Sequence, residues 1–328
     1  MKVEQVTPDD VELLSGVYGG CEQSPRRVLR ELGPGVLDEI LKREVSSSIN
    51  HPVALKCRVR SSTAFVAVAE DPWASKSLGV GLGRIGPVFA GGKADDRSQA
   101  VTAAISASLE ASAGRGLSLL TMRVHADDEH IISACLSNGF VRAGEENVYL
   151  RTSTSNRSAP YLRNGSIEIE TIMGGHPIVI GEADRAQLLE RAGRFRLSHL
   201  GSNSSLPIEA TENFYRSWTE NVIDGSYGDV VAVARLDGQV VGFFAWKSDT
   251  EIARHHGVDL LNGSWAVVSA QRQGVLQALS EAVVERPTDG VGWIECETQV
   301  QNTAMNIVMN RIGTGPPPQR CVVLHRWT

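Results

Sequence analysis

Between residues 271 and 285, Val275, Ala278, Leu279, Ala282 and Val283 recur at the spacing of one helical face, and Pro287 follows as a stop. The same period in Ala186–Arg196 and in Ile208–Val222, where Phe214, Trp218 and Val222 align, predicts two more helices. Elsewhere the apolar residues gather into short runs. Asp229–Arg235 and Gln239–Lys247 read as strands joined at Leu236-Asp237-Gly238, a strong hairpin signal. Leu260–Ser269 and Gly292–Gln299 read as strands, Asn302–Ile312 as a helix, and Cys321–Trp327 as a closing strand beyond the Gly-Pro-Pro-Pro loop at 315–318.

The first half repeats this order. Ser62–Ala69 and Leu78–Ile85 read as paired strands with a longer loop that contains Pro72, and Asp96–Ala111 reads as a helix. Strand Ser118–His125, helix Asp128–Asn138 and strand Asn147–Arg151 follow. Gly116–Gly139 and Gly290–Gly313 share an opening glycine, an apolar stretch, an Asp or Asn and a closing glycine at an offset of 174 residues. Arg97–Ser106 lies over Gln271–Ser280 at the same offset. A duplicated module with one sharper copy predicts one working site and one scaffold. The expected division is 1–152, a polar linker at 153–164, and 165–328.

Composition narrows the function classes. The 328 residues suit two domains, and 42% apolar with 21% charged residues is ordinary for a globular protein. No apolar run is long enough to cross a membrane and the N-terminus lacks a signal core, so a cytoplasmic protein with no membrane partner is expected. A net charge of −6 argues against a nucleic-acid partner. Cys21, Cys57, Cys135, Cys296 and Cys321 form no ligand spacing and are expected as buried free thiols, so no metal is expected. His255-His256 reads as a solvated pair just ahead of a strand.

Two segments carry a resemblance. Val267-Val268-Ser269-Ala270-Gln271-Arg272-Gln273-Gly274-Val275-Leu276 matches the acyl-CoA signature Q/R-x-x-G-x-G/A through Gln271 and Gly274, and Thr298–Ala304 matches the strand–Asn–helix segment that follows it. On these residues the chain resembles the GCN5-related N-acetyltransferases (GNAT). Over 165–328 it is similar to their dTDP-fucosamine acetyltransferase group, which carries the remnant of a second such domain. The implied fold class is α/β (α+β): two tandem GNAT-like modules, each a mixed, mostly antiparallel twisted sheet flanked by helices. Leu276 stands where the signature has a second small residue, and Met309 where the family places a general-acid tyrosine. In the first copy the matching positions are Cys135, Asp128 and a glycine-free Arg97–Thr102, which implies that diphosphate binding is lost there.

The implied co-substrate is acetyl-CoA or another acyl-CoA. Unpaired N–H groups at a helix start suit a diphosphate, Gly274 removes a Cβ from its path, and Arg272 adds a charge-assisted bond. The implied binding set is Val267, Val268, Gln271, Arg272, Gln273, Gly274, Val275, Leu276, Asn302, Met305 and Met309. Asn302 also suits a helix cap, and Met305 and Met309 also suit a core. Alternation puts Trp293, Glu295, Glu297 and Gln299 on one strand face; Glu297 is the first candidate base and Glu295 the second. Tyr215, Tyr227, His255 and His256 are candidate proton donors in place of the missing tyrosine. The expected activity is N-acyl transfer to a small-molecule amine, such as an amino-sugar nucleotide or natural-product intermediate, with an acyl carrier protein as an alternative donor. The competing readings are a coenzyme sensor or scaffold and an aminoacyl-tRNA-dependent transferase.

Overall fold

The apolar runs of the sequence become strands β1 (Lys2–Gln5), β2 (Val53–Val59), β3 (Ser62–Glu70), β4 (Leu82–Gly91), β5 (Leu119–His125) and β6 (Val141–Thr152) in the first half. The helices among them are α1 (Val11–Gly19), α2 (Val36–Ser48), α3 (Pro72–Leu78), α4 (Ala94–Ala113) and α5 (Glu129–Ser137). The second half holds β7 (Ile167–Met173), α6 (Glu182–Gly193), α7 (Ile208–Ile223), β8 (Val230–Leu236), β9 (Gln239–Ser248), α8 (Thr250–His256) and β10 (Val258–Val268). It continues through α9 (Val275–Val284), β11 (Val291–Gln299), α10 (Thr303–Arg311) and β12 (Gln319–Trp327). The computed structural model describes residues 2–19, 27–33, 35–152, 167–270, 273–284, 291–312 and 314–328.

The chain divides into two units. Unit 1 is Met1–Glu146 with Gln319–Thr328, and its strands run in the order β1-β2-β3-β4-β5-β12. Pairing is antiparallel except between β4 and β5. Its core joins Val66, Val68, Leu120, Met122, Val124, Val322 and Leu324 of the sheet to Val101, Ala104 and Ile105 of α4 and Ile131 and Cys135 of α5. Unit 2, Asn147–Pro318, has the order β6-β11-β10-β9-β8-β7, with β10 and β11 parallel. Its core packs Phe244, Trp246, Leu261, Ile294 and Cys296 against Val275, Leu279 and Val283 of α9 and Met305, Val308 and Met309 of α10. Each sheet is therefore mixed and mostly antiparallel, flanked by helices, as the sequence implies.

Several details differ from the sequence reading. Ser62–Glu70 has two antiparallel partners, β2 before it and β4 after it, and the expected loop between β3 and β4 is helix α3. Helix α9 starts at Val275 rather than at residue 271. The last strand also departs from expectation. β12 pairs with β5 from Cys321↔His125 to Trp327↔Leu119 and so belongs to unit 1 rather than closing the second module. Conversely, Asn147–Arg151, expected to close the first module, falls in unit 2. There Asn147 Nδ2 and Tyr149 Oη donate to Asn306 Oδ1 of α10 at 2.8 and 2.9 Å. An apolar strand of this length fits beside either β5 or β11, so periodicity does not choose its neighbour. The expected linker 153–164, with Gln271, Arg272, Pro287 and Cys21, lies outside the described residues.

Candidate active site

The site candidate in unit 2 begins where β10 and β11 part. Their parallel register runs from Val258↔Val291 to Gly263↔Cys296 and ends there, although both strands continue. At the same point β10 shifts register against β9, between Gly263 and Trp265. Such a bulge bends the strand and increases its twist. The rest of β10 stays on β9, with Trp265↔Ala245, Val267↔Phe243 and Val268↔Gly242, and Ser269 N donates to Val241 O at 2.8 Å. Alternate residues of Trp265–Val268 thus turn backbone N–H and C=O groups toward the side that β11 has left. Gly263 is needed at the parting for packing: a Cβ there would stand 2.9 Å from Trp246 Cζ3 and 3.3 Å from Cys296 Sγ.

Helix α9 starts beyond this diverging strand. Its first intrahelical bond is Ala278 N to Gly274 O at 2.9 Å, so the N–H groups of Val275, Leu276 and Gln277 precede the ladder. Gly274 has φ +77°, a left-handed conformation that favours glycine, and a Cβ built there meets nothing within 4 Å. Gln273 and Gly274 are exposed, and Leu276 is half-buried against the core of unit 2. The start of α9 therefore presents N–H groups ahead of the ladder at a positive dipole end, led by an exposed glycine in the left-handed conformation. These residues suit the diphosphate of a coenzyme.

The faces of β11 sort the remaining candidates. Ile294 and Cys296 enter the helix-packed core, so Glu295, Glu297 and Gln299 lie on the opposite face. Glu295 is buried beside Asn262 in the register, and Glu297 is half-buried just past the last parallel pair. Burial, with the charges of Glu297 and Glu295 adding to it, pushes the Cys296 thiol far up, so it stays protonated. Asn302 caps α10: its Oδ1 accepts from Met305 N at 3.3 Å and its Nδ2 donates to Thr298 Oγ1 at 3.0 Å. Met305 and Met309 are core residues, 6% and 0% exposed.

Two expectations need correction. Tyr215 is 2% exposed and its hydroxyl bonds Ser198 Oγ, so it serves packing and is not poised to give a proton to a departing thiolate. Its ring belongs to an aromatic cluster with Phe195, Phe214 and Trp265. Tyr227 holds Lys247 over its ring at 4.9 Å. His255-His256 ends helix α8 rather than standing in a loop, with His255 Nε2 3.6 Å from Glu251.

No family model and no curated protein matches the chain. Solved structures do match. A GCN5-related N-acetyltransferase from Sphaerobacter thermophilus aligns with TM-score 0.61 at 12% identity, over 99% of this chain and 95% of that one. One from Kribbella flavida aligns with TM-score 0.51 at 12% identity, over 90% and 96%. A tandem GNAT protein from the clavulanic acid biosynthesis pathway aligns with TM-score 0.51 at 13% identity, over 99% and 98%. The chain has the tandem GNAT fold. Both GNAT modules keep the diverging strand pair: in unit 1 the β4–β5 register ends at Ile85↔Met122, while β4 continues to Gly91.

Besides β1, β2, α1, α2 and β7, two structural features escaped the sequence reading. Helices α3 and α8 occupy matching places, each opened by an aspartate cap (Asp71, Asp249) and closed by a left-handed glycine (Gly79, Gly257). Cap aspartate and closing glycine were the available signal. The other is Arg151, 6% exposed, whose Nε donates to Met309 O and Nη1 to Pro316 O, both at 2.8 Å. It ties the end of α10 to β6, and nothing in its sequence neighbourhood marks it. Among the described residues no group of His, Cys, Asp and Glu is placed to hold a metal, and no helix is long and apolar enough to cross a membrane.

Proposed function

We propose that the chain is an acyl-CoA-dependent N-acyltransferase, with acetyl-CoA as the simplest donor and unit 2 as the working module. The observation that carries this reading is an open, glycine-led helix start placed directly after a strand that has parted from its parallel neighbour. In this reading the N–H groups of Val275, Leu276 and Gln277, with Arg272, hold the diphosphate. The edge of Trp265–Val268 takes the pantetheine arm as an added strand. An N–H of Val267 or Val268 stabilises the charge that grows on the thioester oxygen, an effect of roughly 3 kcal/mol for one preorganised donor. A bound acyl-CoA supplies an activated carbonyl. Glu297 takes the proton of the acceptor ammonium, the amine nitrogen bonds to the carbonyl carbon, and the C–S bond breaks. The surplus proton left on the nitrogen passes through water to the departing thiolate, a leaving group with a pKa of ~8.5.

The acceptor is an amine of a small molecule. Resemblance to dTDP-fucosamine acetyltransferases and the fold shared with a tandem protein of clavulanic acid biosynthesis support an amino-sugar nucleotide or natural-product intermediate. An acyl carrier protein is the alternative donor. The net charge of −6 favours these over an aminoacyl-tRNA donor. A second reading, a coenzyme sensor, is favoured by Met309 in the core and by the engaged hydroxyl of Tyr215. Calorimetry with acetyl-CoA followed by thiol-release assays over a panel of amines separates the two. Binding with transfer supports the enzyme, binding without transfer supports the sensor, and no binding removes both.

A further inference from the structure

The half of β10 beyond Gly263 has lost β11 as a neighbour, and Trp265 is the first residue after the register shift. Its indole is 7% exposed and anchored on α7 from several sides. It stacks on Tyr215 (5.1 Å, 16°) and on Trp218 (4.9 Å, 13°), and meets Phe195 edge-on at 5.4 Å. The indole Nε1–H donates to Thr219 Oγ1 at 2.9 Å in a buried bond. On the other sheet face Ala266 and Val268 rest against the core, and this half of β10 keeps its register with β9.

We infer that Trp265, held by Thr219, is the positioning residue that sets how far β10 stands from β11 and thereby places a bound thioester. The inference rests on the acyl-transfer reading. A ring locked by two stacks and one hydrogen bond has a single orientation, and the backbone that carries it follows. Loss of the hydrogen bond strands a buried N–H, so the indole must shift to find a partner and the strand moves with it. The diphosphate grip at α9 is elsewhere on the chain and stays as it is.

The test compares wild type, Thr219→Val and Thr219→Ser by three measurements: near-UV circular dichroism of the free protein, calorimetric affinity for adenosine 3′-phosphate 5′-diphosphate (the part of CoA without the pantetheine arm), and acetyl transfer. The expected result for Thr219→Val is an altered tryptophan band, affinity for this fragment within threefold of wild type, and kcat lower by tenfold or more. Thr219→Ser, which keeps the acceptor oxygen, restores both the band and kcat. The inference is overturned if Thr219→Val transfers at the wild-type rate. It is equally overturned if affinity and kcat fall together, or if Thr219→Ser behaves like valine. If wild type itself neither binds CoA nor transfers, the acyl-transfer reading fails and takes this inference with it.

Discussion

Helices α4 and α9 follow the diverging strand of their respective units, yet they begin in opposite surroundings. In unit 1 the β2–β3 turn closes over the start of α4. Ser62 Oγ donates to Lys93 O at 3.3 Å, while Arg60 and Ser61 reach Asp96 at 3.3 and 3.4 Å. Gly92, with φ +108°, lies so close beneath that a Cβ would stand 2.8 Å from Ser62 Cα. In unit 2, Gly274 has the same kind of backbone but open space in front of it. Asp96 also puts a carboxylate into the first turn of α4, where an anion would have to bind, whereas α9 has no acidic residue there. A duplicated helix start is thus covered by a turn in one copy and led by an exposed glycine in the other.

The sharpest way to break this contrast is to count coenzyme sites and then remove one. Calorimetry is expected to find a single acetyl-CoA site per chain, and Gly274→Val to weaken it by about a hundredfold, or about 2.7 kcal/mol. Two sites, or unchanged affinity, would erase the distinction between the helix starts. Gly92→Ala should act the other way. It forces the β2–β3 turn off α4 and lowers unfolding stability by about 2 kcal/mol or more, with coenzyme affinity unchanged. Denaturant titration and calorimetry of this one variant check both halves of that statement.

A pH series probes what the units have in common. Burial raises the Cys135 thiol of unit 1 to about 12 and raises Cys296 of unit 2 as well. The folded state then keeps these protons after the unfolded chain has lost them. Their stabilisation is complete below the ordinary thiol pKa of ~8.5, and falls by about 1.4 kcal/mol per pH unit for each thiol above it. Urea midpoints that do not fall between pH 8 and pH 10 would contradict the burial of both cysteines. The smallest effect belongs to Asp96→Asn. Arg60 is 77% exposed, so the lost pair costs at most about 1 kcal/mol. Unit 1 should still not bind coenzyme, because Ser62 and Gly92 keep the turn in place.

Much of this was legible in the residues. The 174-residue offset carries Glu129–Ser137 onto Thr303–Arg311, the observed bounds of α5 and α10, with Asp128 and Asn302 as their N-caps. Gly274, singled out in the sequence for its missing Cβ, also has a left-handed backbone that the residues had not announced. Tyr215 was misread because a half-apolar side chain on a helix face looks the same whether its hydroxyl meets a substrate or Ser198. The α4 start was displaced for a similar reason. The aligned segment Arg97–Thr102 lies inside the helix, which begins further upstream behind Gly91-Gly92.

By itself the sequence determined most helices and strands of the repeated order, that the order occurs twice, and that Asp237-Gly238 turns a hairpin. Those properties are local: they depend on side-chain period, caps and the absence of a Cβ. Only the tertiary structure decided that β12 lies beside β5, that a turn covers one helix start and spares the other, and that Trp265 is wedged on α7. Each of these is a choice between partners distant in the chain. Apolar strands and turns of similar composition can satisfy many neighbours, and the packing of the whole unit selects one.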